Sequence, residues 1–184
     1  GSYHHTFNLP ITITNCTNNY GPYQFPEKLI PVVIDKMLSE ESIPVYGDGS
    51  NVRDWLYVDD HCSAIWQVIT TGESGETFTV GGENEWQNID LVHELCSIMD
   101  ERRPRGAGSY YDLITFVGDR PGHDQRYAVD CTKIHDQLGW HQAVNFAQGL
   151  RLTVDWYLSN LEWMEAVKSG EYRSWMSQNY ASRG

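Results

Sequence analysis

Positive charge is scarce in this chain: 13 Lys and Arg stand against 25 Asp and Glu, a net charge of −12 over 184 residues. Nucleic-acid backbones demand a basic face, so that class of partner is set aside. A small diphosphate is not, because two or three well-placed cations suffice to hold it. No stretch approaches the ~20 apolar residues of a membrane span, and no secretory leader is visible. Cys16, Cys62, Cys96 and Cys131 show no Cys-x-x-Cys spacing and are read as reduced thiols of a cytoplasmic protein. His-Glu-x-x-His is missing, so no metal site is expected; the His4-His5 pair stands beside Gly1-Ser2, which reads as a cloning scar. Neither Gly-x-Gly-x-x-Gly nor Gly-x-x-Gly-x-x-Gly follows a strand-like run, so the dinucleotide fingerprint is absent. Repeats, low-complexity blocks and long linkers are lacking as well.

What is present is a folded domain. A hydrophobic content of 40% with 12% aromatics supports one core of ordinary size. Strands are expected at Ile11–Thr14, Ile43–Tyr46, Val52–Val58, Thr77–Val80, Ile114–Val117 and Arg126–Val129. A helix is expected from Phe25 to Ser39, with Pro26 in its first turn and Pro31 bending it. Asp59 or Asp60 should cap a helix carrying Ala64, Ile65, Val68 and Ile69 that stops at Gly72. Asn88 should cap another, bearing Leu91, Leu95, Ile98 and Met99. Thr132–Leu138 closes at Gly139, and a last helical region starts near Phe146. The fold class is therefore mixed α/β, with α+β character.

Asn15-Cys16-Thr17-Asn18-Asn19-Tyr20-Gly21-Pro22 is the most informative stretch. It sets consecutive carboxamides at the end of a strand, the edge where open α/β sheets bind ligands. A carboxamide offers a donor and an acceptor without charge, suited to reading hydroxyls; a capped turn is the plain alternative. Arg53 lies inside an apolar strand. Pairing with Asp54 is the ordinary explanation, yet successive strand side chains point to opposite faces, and a guanidinium fork suits a diphosphate. Lys28 falls in a first helical turn, where the dipole disfavours cations. Arg120-Pro121-Gly122-His123 forms a turn that could cradle phosphate or pair with Asp119 and Asp124. Tyr46 is a core residue or a wall for a base, and Asn88 a cap or a ligand contact.

These strings, with Pro44-Val45-Tyr46-Gly47-Asp48-Gly49, Arg53-Asp54-Trp55-Leu56-Tyr57-Val58-Asp59-Asp60-His61, Gly81-Gly82-Glu83-Asn84, Asp119-Arg120-Pro121-Gly122-His123-Asp124 and Leu138-Gly139-Trp140, give the chain its likeness. From about Tyr3 onward it resembles the C-terminal half of the dTDP-glucose 4,6-dehydratases, extended short-chain dehydrogenases that act on nucleotide sugars. Thr17 stands where that family usually has Ser. The resemblance implies an extended Rossmann-type fold of which residues 3–184 are the substrate-binding portion, with strands near 11–14 and 77–80 belonging to the Rossmann sheet. It implies bound NAD, a dTDP-glucose substrate and a homodimeric parent. It places Asn18 at the sugar and Asn19 at the nicotinamide cofactor. It places Glu27, Lys28 and Leu29 at the sugar and pyrophosphate, and Pro44 and Tyr46 at the base. Arg53, Asn88, Arg120 and His123 surround the phosphates and nucleoside, and Tyr180 joins from the C-terminal segment. No Tyr is followed four residues later by Lys, so the family's catalytic pair is not here. No catalytic residue is expected, the chain should be inactive alone, and its unpaired sheet edges should promote self-association. Another nucleotide-sugar epimerase or decarboxylase, and a non-catalytic sugar-nucleotide-binding module, are the rival readings.

Overall fold

The computed structural model describes residues 2–119 and 122–170. Helix α1 (Ser2–Phe7) is followed by strands β1 (Ile13–Cys16) and β2 (Asn18–Tyr20), then helix α2 (Leu29–Leu38). Strands β3 (Ile43–Tyr46) and β4 (Val52–Tyr57) run into helix α3 (Val58–Thr71). Strands β5 (Thr77–Val80) and β6 (Glu85–Gln87) lead to helix α4 (Asn88–Arg102). A 3-10 turn (Tyr110–Leu113), strands β7 (Ile114–Val117) and β8 (Arg126–Tyr127), and helices α5 (Thr132–Leu138), α6 (Phe146–Ser159) and α7 (Leu161–Ser169) complete the order.

Strand pairing is mostly parallel. β1 pairs with β5, and β3 with β7, each as a two-stranded sheet. The larger sheet is built around β4, which pairs with β2 and β8 in parallel and with β6 antiparallel. Alternation along β4 divides the interior. Trp55 and Tyr57 enter a large core with α2, α4 and α6, while Leu56 enters a smaller one beneath α3 and α5. In the large core, Ile30, Ile34 and Met37 of α2 meet Leu91, Leu95 and Ile98 of α4 and Leu150 and Val154 of α6. These positions recur at three- and four-residue spacing, so each helix buries one stripe.

Several boundaries differ from the sequence expectation, each for a local reason. β1 begins two residues later than expected and runs to Cys16, and Asn18–Tyr20 is itself a strand because β4 pairs with it. α2 starts at Leu29 with Lys28 as its N-cap, which leaves Pro26 outside the helix. Pro31 is then the third helical residue, where an N–H would lack an intrahelical partner anyway, so it requires no bend. α3 starts at Val58 with Tyr57 as N-cap, and neither Asp59 nor Asp60 caps it. Asp60 instead accepts from the backbone N–H of Ala143 and Val144, both at 3.0 Å, tying the α6 approach to α3. Ile69 is exposed, so only Ala64 and Val68 of the expected apolar stripe are buried. Gln87, not Asn88, is the N-cap of α4. β8 stops at Tyr127, and the strands on either side of residues 118–125 belong to different sheets. β6, the 3-10 turn and α1 are too short to carry a periodic signal of their own.

Candidate functional site

The N-terminus of α2, strands β2, β3 and β4, the start of α4 and the segment before β8 surround a cleft of about 670 Å³. Its walls follow from strand alternation. In β3, Ile43 and Val45 are buried in the core, which turns Pro44 and the half-exposed Tyr46 to the cleft. In β4, Arg53 and Trp55 share a face, and Asp54 points away. The buried Asp54 carboxylate accepts from the backbone N–H of Gly82 at 3.0 Å and Asn84 at 2.7 Å. It does not pair with Arg53, whose guanidinium donates to the carbonyls of Val52 at 2.7 Å and Asp124 at 2.8 Å. Asn18 sits opposite Trp55 in the parallel register.

Lys28 lies at the positive end of α2 beside Glu27, 3.2 Å away, with both side chains more than 60% exposed. An exposed neighbouring pair of this kind holds neither side chain firmly, so Lys28 can turn to an anion. His123 is held more tightly. Its side chain is only 7% exposed and its Nδ1 meets Asp119 Oδ1 at 2.7 Å, which reserves Nε2 for other partners. Beneath the cleft, burial pushes the hydroxyls of Tyr20 and Tyr157 well above the usual tyrosine range, so both stay neutral.

Polar atoms without partners concentrate here. Nine buried side-chain N or O atoms lack a hydrogen-bond partner among the described residues, and four of them belong to residues that line this cleft: Asn19 Oδ1, Gln24 Oε1, Trp55 Nε1 and Asn88 Oδ1. Two of the amide orientations are fixed by chemistry. Asn19 Nδ2 donates to Thr17 O at 3.1 Å, and Gln24 Nε2 to Asn19 O at 2.7 Å. A carbonyl can only accept, so the free atom in each case is the acceptor oxygen. A buried group left unpaired costs roughly 1–3 kcal/mol. Among the described residues no group of three or more His, Cys, Asp or Glu could hold a metal ion.

Residues 1–153 match the family model described as GDP-mannose 4,6 dehydratase. The chain belongs to the GDP-mannose 4,6 dehydratase family. It is 56% identical over 173 residues to the dTDP-glucose 4,6-dehydratase of Xanthomonas campestris, covering 94% of this chain and 49% of that protein. Identity to the dTDP-glucose 4,6-dehydratase of Escherichia coli is 53% over 178 residues, covering 97% and 49%. The crystal structure of a Streptomyces venezuelae dTDP-glucose 4,6-dehydratase with NAD bound is 43% identical, with a TM-score of 0.82 over 90% of this chain and 49% of that one. The chain therefore spans about half the length of the curated relatives it matches, and its mixed α/β fold is the one these extended dehydratases share.

In this member of the GDP-mannose 4,6 dehydratase family, Asn18, Asn19, Glu27, Lys28, Leu29, Pro44, Tyr46, Arg53, Asn88 and His123 all line the one cleft. Arg120 and Tyr180 lie outside the described residues. Three lining residues were not anticipated: Gln24, Val32 and Trp55. Trp55 was legible in principle, since it stands two residues from Arg53 on the same strand. Val32 follows Lys28 by one helical turn. Gln24 sits in a loop with no period to reveal it.

Proposed function

We propose that this chain holds the nucleotide sugar in an NAD-dependent enzyme that converts dTDP-glucose to dTDP-4-keto-6-deoxyglucose. One observation carries the reading. Lys28, Arg53 and His123, widely separated in the sequence, line a single cleft together with the Pro44–Tyr46 wall and a row of carboxamides. Basic groups, an aromatic wall and uncharged hydrogen-bonding groups in one cleft suit a diphosphate, a base and a sugar. Pro44 and Tyr46 pack on the thymine and deoxyribose. Arg53, His123 and Lys28, with Arg120, neutralise the pyrophosphate, and Asn88 completes the nucleoside end. Asn18, Glu27 and Leu29 orient the hexose. Tyr180 is assigned as a further substrate contact. Binding energy gathered at the nucleotide orients the reacting sugar carbons.

Asn19 fits the cofactor, because its fixed and unpaired Oδ1 offers the acceptor that a carboxamide N–H requires. Bound NAD would supply the hydride acceptor for oxidation at C4 and the hydride returned at C6. The general acid, the general base and the Tyr-x-x-x-Lys pair come from elsewhere in the enzyme, so the chain alone binds weakly and turns nothing over. We further assign β1 and β5 to a larger Rossmann sheet of a cytoplasmic, homodimeric parent.

A nucleotide panel tests the reading. At millimolar concentration, thymidine diphosphate and dTDP-glucose should raise the melting temperature more than uridine or guanosine diphosphates do, by mass action on the folded state. A larger shift with uridine diphosphate would favour an epimerase or decarboxylase. No shift with any of them would end the proposal.

A further inference from the structure

Trp55 is 4% exposed, lines the cleft, and has an indole N–H without a hydrogen-bond partner among the described residues. Its ring is otherwise well used, set edge-on to Tyr20 at 6.3 Å and tilted against Phe146 at 6.4 Å. The carbon frame is thus a core element, while the single polar atom is left over. An indole nitrogen only donates, so no rotation or flip can satisfy it except with an acceptor.

We propose that the Trp55 N–H donates to a pyrophosphate oxygen of the bound nucleotide sugar, on the hexose side of Arg53. The inference rests on the functional reading given above and adds to it a contact by a neutral donor. Position argues for the phosphate. Trp55 follows Arg53 by two residues on one strand face, about 7 Å along the strand, so both reach one extended anion. Its register partner is Asn18, the residue assigned above to the hexose. A neutral donor adds a contact there without adding further charge, and a desolvated N–H to a charged oxygen is among the stronger hydrogen bonds.

Trp55→Phe removes the N–H and keeps an aromatic ring against Tyr20 and Phe146. Titrations of the wild-type chain and of this variant with thymidine and with thymidine diphosphate separate the cases. The diphosphate should bind about tenfold more weakly to the variant, and thymidine equally well to both. In ¹H–¹⁵N spectra the indole resonance missing from the variant should move downfield on adding thymidine diphosphate to the wild type, and stay in place with thymidine. Equal diphosphate affinity, or equal losses for both ligands, would overturn this inference and leave the functional reading intact. A wild-type chain that binds neither ligand would overturn the reading itself and this contact with it.

Discussion

Asp54 and Asp60 are buried carboxylates, and each is stabilised by two backbone N–H donors from a distant segment. Those donors satisfy the buried oxygens and tie distant segments together. His61, one residue after Asp60, is treated differently. Its Nε2 is buried without a partner among the described residues, and desolvation holds its pKa below the ordinary histidine value. The consequence for stability has a definite sign. An unfolded chain takes up this proton near pH 6.5, whereas the folded chain keeps His61 neutral to lower pH. Stability is therefore intact above that pH and is lost as pH falls toward the folded value. Melting temperature should fall between about pH 7.5 and pH 5.5, and His61→Asn should flatten the slope measurably. Identical slopes for the two proteins would show that His61 contributes nothing to the effect.

Helix α6 shows why local propensity and packing must be read together. Gly149 lies in the helix interior, where Ala is ordinarily better by roughly 0.5–1 kcal/mol. Here a Cβ would strike the Tyr20 ring, with Cζ at 2.9 Å, and its hydroxyl. Tyr20 is fully buried against Tyr57 and Phe146 and cannot move aside. Gly149→Ala should therefore destabilise the chain by about 1–3 kcal/mol in urea unfolding, and Tyr20→Phe in the same chain should recover part of that loss. A stabilised Gly149→Ala variant would show the packing to be looser than drawn. No sequence pattern discloses this contact, because it joins residues 129 positions apart. What was legible is what repeats locally. The stripe of α4, the strands Ile43–Tyr46, Thr77–Val80 and Ile114–Val117, and the Gly139 stop of α5 all follow from period or turn chemistry. The caps were misread because Asp60 and Asn88 are ordinary cap residues recruited elsewhere, one to a distant loop and one to the cleft wall. The cleft was visible through its charged and carboxamide members. Its apolar and loop members, Val32, Trp55 and Gln24, look like core or coil until the strands are placed.

At the scale of the whole chain, the two cores are unequally enclosed. The large one is wrapped by α2, α4 and α6, whereas the smaller one rests on the two-stranded β1–β5 sheet with α3 and α5. Parallel strands are ordinarily covered on both faces and paired along both edges, and two strands alone are marginal. Among the described residues, β1 and β5 pair only with each other. Ile13 in β1, and Trp66 and Ile69 on α3, are also exposed. Unpaired edges next to exposed apolar side chains favour association between copies. The charge of −12 opposes it, and salt screens that repulsion, since the Debye length shrinks from about 10 Å at 0.1 M to about 3 Å at 1 M. Opposed forces of these two kinds make a salt-dependent prediction. In size-exclusion chromatography with light scattering, the mean mass should rise with protein concentration, and rise further at about 0.5 M sodium chloride than at low salt. Substituting Ile13→Lys, which places a charge on the open edge strand, should lower the mass at every salt concentration. A monomer that persists at millimolar concentration in high salt would show that the β1–β5 sheet closes on itself adequately, and would remove the reason for assigning it to a larger one.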